Sequence, residues 1–241
     1  MSLKNYLDKI KRYFIFSTDE TRSFIVSATL LAVVYSWNDW GVTQFELASG
    51  LKNLLFAFAL ISLTLFVHHS GQRFSALAFG LRAEQKLWWY GSLIALILVM
   101  VSDGTIKLLA ATSTLAFILP AHRLGAFRYG PGLSVIMKVV IAGPLFNLLF
   151  ACLIKLTEPL IGNLAHELFL LNVAFAWWNL LPIPPLDGSK IFYWSRSAYL
   201  LLFTAISAYL ALIHFANYSS ALLGILIGLC AWAFFIKMKW V

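Results

Sequence analysis

The stretch "TLFVHHSGQRFSALAFG", from Thr64 to Gly80, decides how this chain folds. It continues an apolar run that begins near residue 51, so we predict a helix of membrane-spanning length through it. The same stretch carries two adjacent histidines, His68 and His69, and then Gln72. Ionisable side chains inside an apolar span are costly and usually mark a functional site. The stretch therefore predicts polar chemistry on a membrane helix.

The composition of the whole chain supports a membrane setting. Of its 241 residues, 61% are hydrophobic and 12% are charged, whereas soluble globular domains have about 25% charged residues. No soluble fold has enough interior to bury this much apolar side-chain surface. The expected fold class is an all-α polytopic membrane protein, integral to the membrane and multi-pass.

The net charge of +8 indicates lipid as a partner. The basic residues lie mainly at the ends of apolar segments, where they meet anionic headgroups, so we expect no nucleic-acid partner. Basic residues also crowd both ends of the chain. The positive-inside rule then places both termini in the cytoplasm, which favours an even number of spans.

Two regions are expected along the chain. Residues 1–22 form a basic amphipathic lead-in at the membrane surface, and residues 23–241 form the membrane domain. The candidate spans are 23–37, 51–68 (continuing polar to about 80), 88–101, 105–120, 134–156, 165–182, 198–216 and 219–236. Segments 88–101 and 105–120 are short, and they are one broken helix, two tilted helices or a re-entrant piece. The total is about six to eight transmembrane segments.

A second polar stretch, "NLLPIPPLDGSK" (179–190), ends an apolar span. Its prolines break the helix, so Asp187 is either an interfacial aspartate in a turn or a metal or proton ligand on an unwound segment. In the first stretch, His68 and Gln72 are four residues apart and share a helix face. That spacing suits two ligands of one ion, or two side chains that bond between helices.

Three motifs together resemble the site-2 protease family. The segment 68–80 is similar to the family pattern H-E-x-G-H-x-x-x-A-x-x-F-G, with matches at His68, Gly71, Ala76, Phe79 and Gly80. The segment "IAGPLFNLLFACL" (141–153) resembles the family's A-G-P-x-x-N helix, and "NLLPIPPLDG" (179–188) resembles its N-x-x-P-x-P-x-L-D-G motif. Their order and spacing agree, and the resemblance covers about residues 50–195.

The resemblance implies an intramembrane metalloprotease with a site-2-protease-like core. In that family two helix histidines and the LDG aspartate hold zinc, which implies zinc as cofactor and a metal site of His68, Asp187 and, at the second histidine position, Gln72. The position of the general-base glutamate is taken by His69. The substrates implied are transmembrane helices of other proteins, held at Asn179, Asn147, Pro182 and Pro184.

The sequence departs from the family where the chemistry takes place. Gln72 offers a neutral amide, whereas zinc sites favour Cys, His and carboxylate, so we expect low zinc occupancy. His69 lies about 100° around the helix from His68 and cannot replace the missing ligand. As a base it is weak, because a neighbouring cation suppresses the basicity of an imidazole. The other histidines, His122, His166 and His214, lack the motif spacing.

Two functions remain open. The first is a catalytically inactive or impaired homologue, a pseudoprotease that binds or regulates membrane proteins. The alternative is a divergent active intramembrane metalloprotease that cleaves transmembrane helices with His68, Asp187 and a weaker third ligand. Loss of the general base alone costs about 10²–10⁴ in rate, which favours the first. A transporter or channel is disfavoured, since the sequence shows no repeat and no pore-like series of charges.

Overall fold

A computed structural model describes residues 3–41, 44–119 and 131–212. Within these ranges the chain is predominantly helical, with eight helices and two strands. In chain order they are α1 (Leu3–Tyr13), α2 (Thr18–Tyr35), α3 (Leu47–Ala78), β1 (Leu81–Leu87), α4 (Trp89–Val101), β2 (Thr112–Ile118), α5 (Leu133–Ile161), α6 (Asn163–Asn179), α7 (Asp187–Trp194) and α8 (Arg196–Leu212). The candidate span at 219–236 lies outside the described residues.

Helices α3 and α5 are the long elements of the fold. They contain 32 and 29 residues, and at about 1.5 Å per residue each exceeds the ~30 Å hydrocarbon core of a bilayer. In the described ranges these two helices are long and apolar enough to cross a membrane, whereas α4 and α8 are apolar but shorter. Residues 64–78 of the opening stretch thus lie on one continuous helix, which ends at Ala78. The multi-pass arrangement stays a prediction.

The prediction of an all-α fold is wrong in one region. Residues 112–118 are not part of a membrane helix at 105–120 but form β2, antiparallel to β1, with Leu81 opposite Ile118 and Leu87 opposite Thr112. Between the strands lies α4, a single 13-residue helix. The segment "TSTLAFI" is rich in β-branched and aromatic residues, which favour strands. A short apolar run of this kind cannot be assigned to a strand or a helix from its periodicity alone.

The N-terminal region packs on α3. The Tyr6 hydroxyl donates to the carbonyl of Phe74 at 3.0 Å, and the Phe14 ring stacks on the Phe74 ring with centroids 4.9 Å apart. Helix α2 begins at Thr18, earlier than the predicted residue 23. It begins there because Ser17 and Glu20 form a capping box that satisfies two backbone donors of the first turn.

The apolar core places the start of α7 inside the molecule. Helix α3 packs against α5, α2 and α6. Leu186 is buried with residues of α2 and α4, and Ile191 is buried with residues of α5. These two side chains flank Asp187 and hold the first turn of α7 in the interior. The carboxylate of Asp187 therefore faces other protein groups, not water.

Candidate functional site

Three polar side chains from distant parts of the sequence meet in the interior. The Asp187 Oδ2 atom lies 3.0 Å from His68 Nε2 and 2.6 Å from Gln72 Nε2, and the two side-chain nitrogens are 3.2 Å apart. Each of the three residues is at most 3% exposed. The structure thus brings together the predicted ligand positions. We call His68, Gln72 and Asp187 the central triad.

The Gln72 amide has a defined orientation in the central triad. Its NH₂ group donates to Asp187, and its Oε1 accepts from the Thr114 hydroxyl and lies 3.3 Å from His69 Nδ1. The opposite orientation would set an amide oxygen against a carboxylate oxygen at 2.6 Å, which is repulsive. Gln72 therefore presents a hydrogen-bond donor, not a lone pair, to the centre of the site.

Charge at Asp187 is offset by a neighbouring lysine. Lys190 Nζ lies 3.7 Å from Asp187 Oδ1, and it donates to the Thr114 carbonyl at 2.7 Å. The position of Asp187 in the first turn of α7 also places its negative charge at the favourable end of the helix dipole. Buried carboxylates are costly unless they are paired and hydrogen-bonded, and these contacts offset part of that cost.

Gly143 of α5 allows α3 to approach closely at the central triad. A Cβ at position 143 would lie 2.5 Å from His68 Nε2 and 2.9 Å from Gln72 Nε2. Any side chain larger than hydrogen would therefore displace one of them. This contact explains why a glycine from the middle motif belongs to the site.

Next to the central triad, Arg73 and Glu20 form a buried ion pair. Both residues are at most 3% exposed, and Arg73 also donates to the Ile15 carbonyl at 3.0 Å. Burial raises the pKa of the Glu20 carboxyl, but hydrogen bonds from the Ser17 backbone, Arg73 and the Gln85 backbone outweigh it and hold the pKa below its ordinary value. The pair ties α2 and the segment before it to the site helix.

A second polar cluster lies one helical turn before His68. The Thr64 carbonyl accepts from Asn147 at 3.4 Å, and the Thr64 hydroxyl accepts from Asn172 at 3.2 Å. All three residues are fully buried. Asn147 contacts α3 in this structure, and its role in holding substrate stays a prediction. The cluster connects α3, α5 and α6 about one helical turn away from the central triad.

The remaining predicted residues lie outside these contacts. Asn179 is buried, and its amide donates to the Phe175 carbonyl of its own helix at 2.9 Å. Pro182 and Pro184 are exposed in the turn before α7. His166 is exposed and pairs with Glu158 at 3.2 Å. His122 and His214 lie outside the described residues.

The side chains of the central triad do not match a zinc site. Zinc needs lone pairs from imidazole, thiolate or carboxylate, and one corner here is an amide NH₂. Across the described ranges, no group of three or more His, Cys, Asp or Glu side chains could hold a metal ion. His69 does not complete the set, because its Nδ1 faces Gln72 Oε1. The structure thus brings the predicted ligand positions together, without a donor set that zinc favours.

Comparison with known proteins gives one relative. A protein of Methanocaldococcus jannaschii with the name "Putative zinc metalloprotease" is 26% identical over 192 residues, covering 76% of this chain and 87% of the relative. This similarity supports a relationship to zinc metalloproteases. No protein-family model matches the chain. No solved structure matches it either.

The sequence did not identify four residues of the site. Thr114 and Lys190 contact the central triad, and Thr64 and Asn172 form the cluster below it. Thr64 could have been identified from the sequence, since it precedes His68 by four residues and shares its helix face. Lys190 is three residues after Asp187, which on a helix predicts a neighbouring side chain. Thr114 and Asn172 have no such signal.

Proposed function

We propose that this chain is a site-2-protease-like pseudoprotease, a polytopic membrane protein that binds transmembrane helices of other proteins without cutting them. The observation that carries the proposal is the Gln72 amide, whose NH₂ group faces Asp187 at 2.6 Å in the place of a metal ligand. The metalloprotease-like scaffold is supported by the relative from Methanocaldococcus jannaschii. The membrane setting is supported by α3 and α5, which are long and apolar enough to span a bilayer.

The proposed inactivity also follows from the position of the general base. His69 stands where the resembling family has glutamate, and its Nδ1 lies 3.3 Å from the Gln72 amide oxygen. The Nδ1 atom that faces Gln72 donates to the amide oxygen, so it has no lone pair with which to activate a water there. Loss of a positioned base costs about 10²–10⁴ in rate, and a poor donor set for zinc lowers the rate further.

A groove along α6 suits an apolar helix. A cavity of about 510 Å³ lies between α6 and the segment before β2, and its apolar lining includes Leu109, Leu170, Ala174 and Trp178. It adjoins a polar cavity of about 460 Å³ through shared residues, among them Lys107. Apolar walls followed by polar groups match the end of a transmembrane helix, where the chain leaves the hydrocarbon core. The proposed occupant is the transmembrane helix of a client protein.

Binding and cleavage are tested together in lipid nanodiscs. A fluorescently labelled synthetic transmembrane helix is titrated, and the products are examined by mass spectrometry. We expect binding without cleavage by the wild type. The variant Ala174→Trp fills the cavity and should weaken binding by about tenfold or more, whereas Leu160→Trp, at a position 85% exposed on α5, should not.

Two outcomes would contradict the proposal. Cleavage of the helix that a chelator abolishes would establish the alternative, a divergent active metalloprotease. Equal binding by the wild type and Ala174→Trp would show that the client helix does not occupy this groove.

A further inference from the structure

The contacts of the central triad join three elements that are far apart in the sequence. Gln72 bonds across 115 positions to Asp187 and across 42 positions to Thr114. Lys190 completes the network, because its ammonium donates to the Thr114 carbonyl, 76 positions away in the sequence. One connected network of side chains thus links α3, β2 and the first turn of α7.

Gln72 is fully bonded, and a second buried glutamine provides a contrast. The Gln72 side chain is 0% exposed, its NH₂ donates to Asp187 and its Oε1 accepts from Thr114. Gln85 of β1 is 3% exposed, yet neither atom of its side-chain amide has a hydrogen-bond partner. A bonded buried amide stabilises a fold, whereas an unbonded one costs the desolvation of its polar atoms.

The network also supplies its own positive charge. The Lys190 ammonium is 3.7 Å from Asp187 and is fixed by its 2.7 Å bond to Thr114. A divalent cation at the central triad would have to displace the Gln72 NH₂ and then lie near this ammonium. Both requirements oppose cation binding.

From these contacts we infer that the central triad is a metal-independent lock that holds β2 and α7 against α3. Gln72 stands at the position of a metal ligand in the resembling family and donates its NH₂ group to Asp187. Thr114 is the positioning residue, because its hydroxyl bonds Oε1 and so keeps the NH₂ turned toward Asp187. The site that resembles a metalloprotease centre thus acts as a cross-link between α3, β2 and α7.

The lock is tested by hydrogen exchange on the detergent-solubilised full chain. The substitution Gln72→Leu keeps the approximate volume and removes the amide, so backbone amides at 186–190 and 112–115 should exchange about tenfold or more faster. Amides of the α5–α6 pair should be unchanged. The matched control Gln85→Leu removes an unbonded amide, so it should not speed exchange in either segment.

Thr114 has its own pair of variants. Thr114→Val should speed exchange at 186–190, because Gln72 loses the bond that orients it. The control Thr112→Val changes a residue that is similarly buried on the same strand, 4% against 5% exposed, and should not. Addition of EDTA should leave the melting temperature and the exchange of the wild type unchanged, since no bound metal contributes to its stability.

Three results would overturn the inference: faster exchange of the wild type in EDTA, an effect of Gln72→Leu no larger than that of Gln85→Leu, or unchanged exchange at 186–190 in Thr114→Val. The inference does not depend on client binding. If the exchange results are as expected but the synthetic helix does not bind, only the proposed function is rejected. If the helix binds but the exchange results are not as expected, only the lock is rejected.

Discussion

The substitution Gly143→Ala tests the packing of α5 against the central triad. The added methyl group would lie 2.5 Å from His68 Nε2 and 2.6 Å from His68 Cε1, whereas comfortable contacts between heavy atoms are about 3.5–4.0 Å. The ring of His68 cannot move aside easily. It is 1% exposed and packs edge-on against Phe175, with ring centroids 5.2 Å apart.

Two effects set the expected loss of stability. Overpacking of a full interior costs about 1–3 kcal/mol, and weakening the bond from His68 to the Asp187 carboxylate costs about 1.5–3 kcal/mol. Both arise from the same displacement of His68 and do not add fully, so we expect a combined loss of about 2–4 kcal/mol. At about 2–4 °C per kcal/mol for a chain of this length, the melting temperature should fall by about 4–16 °C.

Thermal unfolding in detergent, followed by tryptophan fluorescence at a fixed scan rate, measures this loss. The control is Gly132→Ala at the start of α5, where an added Cβ would meet no atom within 4 Å. We expect that variant to melt within about 2 °C of the wild type. If Gly143→Ala melts with the wild type as well, then His68 does not lie against α5 at this distance and the described geometry of the site is wrong.

Three further predictions concern the site and its neighbours. The double substitution His69→Glu with Gln72→His introduces the glutamate and second histidine of the H-E-x-x-H pattern, so the variant should gain about one zinc per chain by elemental analysis. No gain would show that other positions also prevent metal binding. Arg73→Met leaves the buried Glu20 carboxylate without its main partner and should destabilise the fold by about 3–5 kcal/mol in thermal unfolding. The loss of stability should be about 3 kcal/mol if Arg82, 3.7 Å from Glu20, takes over part of the pairing. The control Arg22→Met changes an exposed arginine and should not alter stability. The pKa of Glu20 is lower in the folded protein, so its stabilising contribution is present above about pH 4.3 and lost as the pH falls through the folded pKa. Melting temperatures between pH 7 and pH 3 should therefore fall less steeply for Glu20→Gln than for the wild type, and parallel profiles would contradict this assignment.

The convergence at the site was predictable in part. Helical spacing alone places His68 and Gln72 on one face of α3, and the structure confirms that they lie together. The spacing says nothing about Asp187, whose place beside them came from the resemblance to a protease family. The orientation of the Gln72 amide was not predictable, because it depends on Thr114, which lies 42 positions away on a strand.

The differences in the fold have local causes. The segment that forms β2 was predicted as a membrane helix. Its pairing partner, β1, lies on the other side of α4 in the sequence, so the periodicity of residues 112–118 does not reveal the pairing. The partner of His166 does not follow from its neighbour in the sequence, Glu167. Adjacent residues on a helix do not face each other, and the C-terminal end of α5 instead brings Glu158 within 3.2 Å.

The zinc content of the purified wild-type chain tests the central claim most directly. Elemental analysis of protein purified in detergent without chelator, and again after incubation with equimolar zinc and desalting, measures occupancy of the central triad. We predict well under one zinc per chain in both samples, because Gln72 presents an NH₂ group where a ligand is needed. One zinc per chain that is lost in both His68→Ala and Asp187→Ala would contradict the account.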